Sequence, residues 1–253
     1  MNYRGVFTLF YKEIARFKEV WMQTILAPVM SNLLFLLVFG VSLGHNPSPA
    51  PNVTYLAFLI PGLAMMGGIN NAVQNPMSSL IIAKYTNNIA DLLMIPLRGF
   101  ELGLAYVAAG IVRGLLVASV TVIVGMFFVT LPFHSWALIV LFGLLVNGIF
   151  SSLGAIIGIM AKEFDDAAII PTFVLTPLTY LGGVFYSVHT LPGVFATASK
   201  FNPIFYMIDG FRYAFIGYGE APLMMSLSVC VVCFAITFGI ASWMFQSGYR
   251  LKT

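Results

Sequence analysis

The chain has 253 residues, 60 % of them hydrophobic and 8 % charged, with 12 basic and 9 acidic side chains and a formal charge of +3. A soluble domain carries roughly 25 % charged residues, so a soluble monomer is excluded. Disordered and nucleic-acid-binding chains are excluded with it, since they need high polarity or a basic stripe. Lipid is the expected solvent for most of the surface.

The first 20 residues hold Arg4, Lys12, Glu13, Arg16, Lys18 and Glu19, so no uninterrupted apolar core of a cleavable signal peptide is expected there. Residues 3–21 instead form an amphipathic pattern. Phe7, Phe10, Tyr11, Ile14, Phe17 and Trp21 recur at three- and four-residue steps, and Arg4, Thr8, Lys12, Arg16 and Glu19 occupy the other side. A basic helix anchored by aromatics lies in the membrane interface. The pattern fits simple anchoring and docking of a cytoplasmic partner equally well.

A spanning helix needs about 20 mostly apolar residues. Six segments meet that length, at 22–43, 55–77, 101–130, 135–160, 167–186 and 224–246. The breaks between them are polar or proline-rich: His45 to Asn52, Leu131-Pro132-Phe133-His134, and Lys162 to Asp166. Residues 187–223 are broken by Pro192, Pro203 and Pro222 and hold Lys200, Asp209, Arg212 and Glu220. That stretch is too polar for a plain span and reads as short helices dipping into the membrane edge.

Basic residues cluster on the cytoplasmic side of membrane proteins. With both termini inside, that side holds Arg4, Lys12, Arg16, Lys18, Lys84, Arg98, Lys162, Arg250 and Lys252, against Lys200 and Arg212 outside. His45, His134 and His189 then fall in outer loops, where they read as loop polars rather than a metal site.

Between the second and third spans, residues 78–99 carry an apolar face (Ile81, Ile82, Tyr85, Ile89, Leu92, Leu93) and a polar one (Asn87, Asn88, Asp91), and Pro96 ends the pattern. This reads either as a short crosswise helix that transmits force from a partner or as an ordinary interfacial loop. Within the second span, Asn71, Gln74, Asn75 and Ser78 form a polar stripe. Lipid cannot satisfy these groups, and interhelical hydrogen bonding is favoured over a substrate path. Arg113 lies within the third span and must snorkel, pair with an acid or line a wet cavity. Glu101 is twelve residues away, about 18 Å by helical rise, too far to be its partner. Span four is rich in small residues (Gly143, Gly148, Ser151, Ser152, Gly154, Gly158) at packing spacing. Span five carries Pro171, Thr172, Phe173, Thr176, Pro177 and Tyr180, which suit either an amphiphile's path or a helix–helix seam. Cys230 and Cys233 sit inside an apolar run and read as buried hydrophobes.

No H-E-x-x-H, G-x-S-x-G or glycine-rich phosphate loop occurs, and none of the six lysines follows a glycine, which excludes a P-loop. No catalytic, cofactor or metal residue is expected of this chain.

Phe164-Asp165-Asp166 through Leu181-Gly182-Gly183-Val184-Phe185-Tyr186, then Leu191-Pro192, then Phe201-Asn202-Pro203 through Tyr206 to Arg212, resembles the type-2 permease family of ATP-binding-cassette (ABC) transporters. These are the membrane halves of exporters for drugs, lipids and polysaccharides, and the likeness extends to the small stand-alone permeases related to nodulation-factor exporters. The resemblance implies an all-α membrane protein of six spans in a bacterial inner membrane. It assigns residues 3–21 as an interfacial connecting helix and 84–94 as a cytoplasmic coupling helix, with Lys84, Tyr85, Asn87, Asn88 and Asp91 facing an ATPase. Residues 187–222 become a re-entrant outer hairpin built on Asn202, Pro203, Tyr206 and Arg212. Two copies would form the path, with Asn71, Gln74, Asn75, Phe173, Thr176 and Tyr180 as pathway or dimer-seam candidates. ATP and Mg would be bound by two copies of a separate ATPase subunit, and the further partners would be membrane lipids.

The expected function is therefore the membrane half of an ATP-driven exporter of an amphiphile. The alternatives are an ion-coupled multidrug transporter and a membrane-embedded lipid-processing enzyme. Both need a carboxylate inside the membrane, and all nine acids are read at or outside the span edges.

Overall fold

The computed structural model describes residues 2–43, 48–51, 53–86, 88–89 and 94–250. Among them the chain is helical and holds no strand. His45, Asn87, Asp91 and Lys252 lie outside the described residues, so the expectations placed on them are not addressed by the structure.

Helix α1 spans Tyr3–Glu19, capped by the Asn2 side chain, which accepts from the Gly5 N–H. A π-helical turn, Met22–Leu26, leads into α2, Ala27–Leu43. The next three helices are α3 (Tyr55–Tyr85), α4 (Gly99–Met126) and α5 (Trp136–Met160). The fifth apolar segment is a composite: α6 (Phe164–Ile170), a π turn at Pro171–Leu175, and α7 (Thr176–Leu181). A 3-10 turn at Val188–Thr190, α8 (Gly193–Phe201) and α9 (Pro203–Ile216) follow, and α10 (Leu223–Ser247) closes the fold.

Five helices among the described residues are long and apolar enough to cross a membrane: Met22–Gly40, Tyr55–Tyr85, Gly99–Met126, Trp136–Met160 and Leu223–Ser247. They match the expected spans one to four and six. The expected fifth span at 167–186 is helical only to Leu181, because residues 182–186 turn, and it is not among the five. The second helix departs the other way. It runs unbroken to Tyr85, through Pro61 and Pro76, so Lys84 and Tyr85 form its last turn rather than the start of a separate crosswise helix. The apolar positions of 78–85 keep the period of the span before them, and no breaker intervenes.

Helix α3 is the centre of the bundle. Phe58, Leu59, Ile60, Leu63, Met65 and Ile69 are wholly buried, and α4 and α5 pack along its length. Small residues set the approach. A Cβ at Gly110 would sit 3.0 Å from the Ala72 carbonyl oxygen, and one at Gly154 would sit 2.1 Å from the Val73 carbonyl oxygen. Glycine and serine spacing on spans three and four thus brings backbones together, as small-residue stripes do in lipid. By contrast, α2 and α6–α7 leave large apolar side chains uncovered, among them Leu34, Val38, Ile169 and Phe173.

Candidate functional site

The expected site residues fall into four places, the last being the fifth segment. The first is at the level where α1 meets α3. The inward stripe of α1 is Leu9, Glu13 and Phe17, one helical turn apart, while Phe7 and Tyr11 are 66 % and 65 % exposed. Phe7 and Tyr11, read from the sequence as interfacial anchors, thus lie on the outer face of α1, and Glu13 joins the inward one. The physical reason is a polar socket. The buried Glu13 carboxylate accepts from Ser79 Oγ at 2.7 Å and from Arg16 Nη2 at 3.2 Å. Arg16 also donates to the Asn75 backbone oxygen (2.7 Å), to Asn75 Oδ1 (3.3 Å) and to Ser78 Oγ (3.1 Å). Glu13 is thus enclosed between α1 and α3 while lying outside the expected spans 22–43 and 55–77.

The polar stripe of α3 divides. Asn71, Asn75 and Ser78 face the interior and meet arginines, and Gln74 points outward. Asn71 Oδ1 accepts from Arg113 Nε at 3.3 Å, and Asn71 Nδ2 donates to the Gly67 carbonyl. Arg113 thus has an amide partner rather than an acid.

The second place is the end of α3. Lys84 Nζ donates to the Ile159 carbonyl and, at 2.9 Å, to the Ala161 carbonyl. Arg250 reaches the neighbouring Met160 carbonyl at 3.3 Å. Both cations therefore cap the C-terminal end of α5, where the last carbonyls lack helical partners and the helix dipole is negative. Tyr85 is highly exposed beside Phe164, and the Asn88 N–H closes the turn on the Ala83 carbonyl. Of the residues expected to couple to a partner, Lys84 is engaged inside the chain and Tyr85 is exposed.

The third place is the opposite end of the bundle, where the Asn202–Arg212 motif acts as a lock. Asn202 caps α9 by accepting from the Ile204 N–H, and its amide donates to the Leu178 carbonyl of α7 at 2.6 Å. Pro203 opens α9 at its first turn, where its missing N–H costs nothing. Tyr206 Oη donates to the Lys200 carbonyl at 2.9 Å. Arg212, buried, donates to the Phe58, Gly183 and Val184 carbonyls at 3.2, 2.6 and 3.3 Å and lies 3.8 Å from the Phe58 ring centroid. One guanidinium therefore ties α9 to α3 and to the chain leaving α7. Gly183 has φ +79°, a conformation open to glycine, and this turns its carbonyl toward the arginine. Asp209 accepts from the Glu220 and Ala221 N–H groups at 2.8 and 2.9 Å. Burial pushes its carboxyl up, opposed by those two N–H groups and by Arg212. Tyr55 adds a bond to the Phe185 carbonyl that the sequence reading missed.

On the fifth segment, the Thr176 hydroxyl donates to the Pro171 carbonyl at 2.9 Å, the same carbonyl that accepts the Thr176 N–H in the π turn. Phe173 is 73 % exposed, and the Tyr180 ring lies 5.6 Å from that of Phe185, which also meets Phe35 and Phe39. Thr176 is thus occupied within its helix, while Phe173 projects from it. Cys230 is buried, Cys233 is half-buried and both are free thiols. His134 packs edge-on against Tyr213, and His189 faces Glu220.

Several long apolar helices, with polar groups turned inward and a clamp at each end, are the architecture of a multi-pass membrane protein. The profile of the ABC-2 type transporter family matches residues 4–216, and the chain belongs to that family. It is 41 % identical over 247 residues to the inner membrane transport permease YadH of Escherichia coli (strain K12), covering 97 % of this chain and 96 % of that protein. It is 24 % identical over 230 residues to nodulation protein J of Rhizobium leguminosarum bv. trifolii, covering 89 % and 86 %. Against nodulation protein J of Rhizobium meliloti (strain 1021) it is 26 % identical over 228 residues, covering 85 % and 82 %. The chain is accordingly a multi-pass transport permease, and membership of the family implies an ATPase partner in general.

Proposed function

We propose that this chain is the membrane subunit of an ATP-driven exporter, working as a homodimer with two copies of a separate ATPase that binds ATP and Mg. The observation that carries this reading is the uncovered side of α2 and α6–α7. Leu34 and Val38 on one, and Ile169 and Phe173 on the other, are exposed side chains on helices that otherwise pack into the bundle. A second copy seated there encloses a wide apolar seam lined in part by Phe173 and Tyr180, which suits an amphiphile better than a small ion.

In this arrangement both termini are cytoplasmic, as the distribution of basic residues favours, and the composite fifth segment crosses the membrane as the fifth of six spans. α1 is the connecting helix, and α8–α9 form a re-entrant cap at the outer end. Tyr85, Asn88 and the neighbouring Asn87 and Asp91 meet the ATPase, while Lys84 fixes the geometry of that corner by capping α5. ATP-driven closure of the ATPase pair moves both corners, and the permease alternates between inward and outward openings by rigid-body movement. Glu13, a carboxylate enclosed between α1 and α3, is held by Arg16 and Ser79, and Asp209 by the Glu220 and Ala221 N–H groups, so neither offers support to an ion-coupled mechanism.

The seam has a direct test. Phe173→Cys is expected to give a disulfide-linked dimer on mild oxidation in native membranes. Val140→Cys, also exposed but on the α5 surface, is expected to stay monomeric. Equal cross-linking at both positions, or none at Phe173, would contradict the proposed seam.

A further inference from the structure

Charges enclosed by protein and lipid are retained when paired, and the region between α1, α3 and α4 is not evenly paired. Two guanidiniums, Arg16 and Arg113, face one carboxylate, Glu13, which Arg16 and Ser79 already occupy. Arg113 is 8 % exposed, and its single hydrogen bond among the described residues is the 3.3 Å contact from Nε to Asn71. Its Nη atoms make none, yet they are not among the fully enclosed polar atoms, so they remain reachable. Arg16 is near enough to repel Arg113. Two further donors here, Arg16 Nε and Asn75 Nδ2, are enclosed without an acceptor. On α1, α3 and Arg113 the groups left over are N–H donors and the uncompensated charge is positive; the unpartnered acceptor nearby, Asn147 Oδ1 of α5 against Gly68 and Gly114, carries no charge.

We propose that Arg113, with Arg16 and Asn75 beside it, binds the phosphate of an anionic amphiphile. A phosphodiester supplies the single negative charge that is missing, and its non-bridging oxygens can accept from several N–H donors, the geometry that guanidinium recognition favours. Depth selects the ligand further. Arg113 lies fourteen residues past Gly99, about 21 Å along α4 by helical rise, and Asn75 lies ten residues, about 15 Å, before the end of α3. A headgroup drawn in from the inner half of the bilayer reaches this level more readily than a hydrated ion. The site lies within one chain, so the inference is independent of the dimer seam and of the ATPase.

The test uses the purified full chain in nanodiscs of phosphatidylcholine, titrated with phosphatidylglycerol or with inorganic phosphate, and reads thermal stability and retained lipid by native mass spectrometry. Phosphatidylglycerol is expected to be retained at least ten-fold more strongly than phosphatidylcholine. Arg113→Gln should abolish that preference and Arg113→Lys should keep part of it. Asn75→Asp, which installs the missing charge in place of an unpartnered donor, should raise the melting temperature in pure phosphatidylcholine and also erase the preference. Saturable stabilisation by inorganic phosphate alone, lost in Arg113→Gln, would uphold the site and make free phosphate its occupant. Equal retention of the two lipids by the natural chain with no response to phosphate would overturn the proposal, and so would a wild-type preference surviving in both Arg113→Lys and Asn75→Asp. In either case water alone would be satisfying these donors.

Discussion

Replacing Arg212 with Leu is expected to cost about 3–5 kcal/mol, the range for removing one member of a buried charged cluster, and to leave little folded protein in detergent extracts. Three carbonyls, of Phe58, Gly183 and Val184, lose their donor at once. Asp209 loses the favourable field of the guanidinium, and the face of Phe58 loses its cation. Arg212→Lys should recover only part of the loss, because an ammonium is a compact point charge and cannot reproduce the planar fork that reaches three carbonyls and a ring together. Size-exclusion profiles and melting temperatures of the two variants check this. A melting temperature for Arg212→Leu within a degree or two of the natural chain would mean that the Asn202–Arg212 motif does not hold α9 in place.

A second large effect is expected at Glu13. Glu13→Gln keeps an acceptor for Ser79 and presents an amide to Arg16 in place of a carboxylate oxygen. Arg16 stays partly solvated, its side chain being 26 % exposed, so the expected cost is about 2 kcal/mol, toward the lower part of the range for charge-assisted hydrogen bonds. The consequence should be local. α1 loosens while the α3–α4–α5 bundle, packed through Gly110 and Gly154, persists. A cysteine at Leu9, which is buried against the bundle, should become reactive to a soluble maleimide in the Glu13→Gln background and stay protected otherwise. Unchanged protection would show that apolar packing of Leu9 and Phe17 alone seats the helix.

How far the sequence led can be judged at these residues. Spans one to four and six were legible because an uninterrupted apolar run of that length has no other stable solution in lipid. The end of α3 was not, since the alternation of apolar and polar residues after Ser78 fits a lying helix as well as the continuation of a standing one. The fifth segment stops at Leu181 because Gly182-Gly183 turns the chain into the lock, and only the position of Arg212 gives that turn a purpose. Arg212 itself looked like an outer basic residue, and its burial depends on carbonyls more than a hundred residues away in sequence at Phe58. Glu13 was missed although its signal was present. It sits four residues from both Leu9 and Phe17, on the face that meets the bundle, whereas Phe7 and Tyr11 mark the outer face of the same helix. Lys84 illustrates the same limit. A lysine at a predicted coupling corner and a lysine capping a neighbouring helix read identically until the end of α5 is placed beside it.

The central claim is that this permease has no motor of its own and is driven by another chain. The most direct measurement is ATP hydrolysis by the affinity-purified protein, isolated from its native membrane with and without a wash that strips peripheral subunits. The account predicts hydrolysis and an accompanying P-loop ATPase in the unstripped preparation, and both lost together after stripping. Re-addition of the ATPase should then restore a complex that a bulky substitution at Tyr85 weakens. Hydrolysis by the stripped chain, or transport by it in vesicles without ATP, would contradict the account.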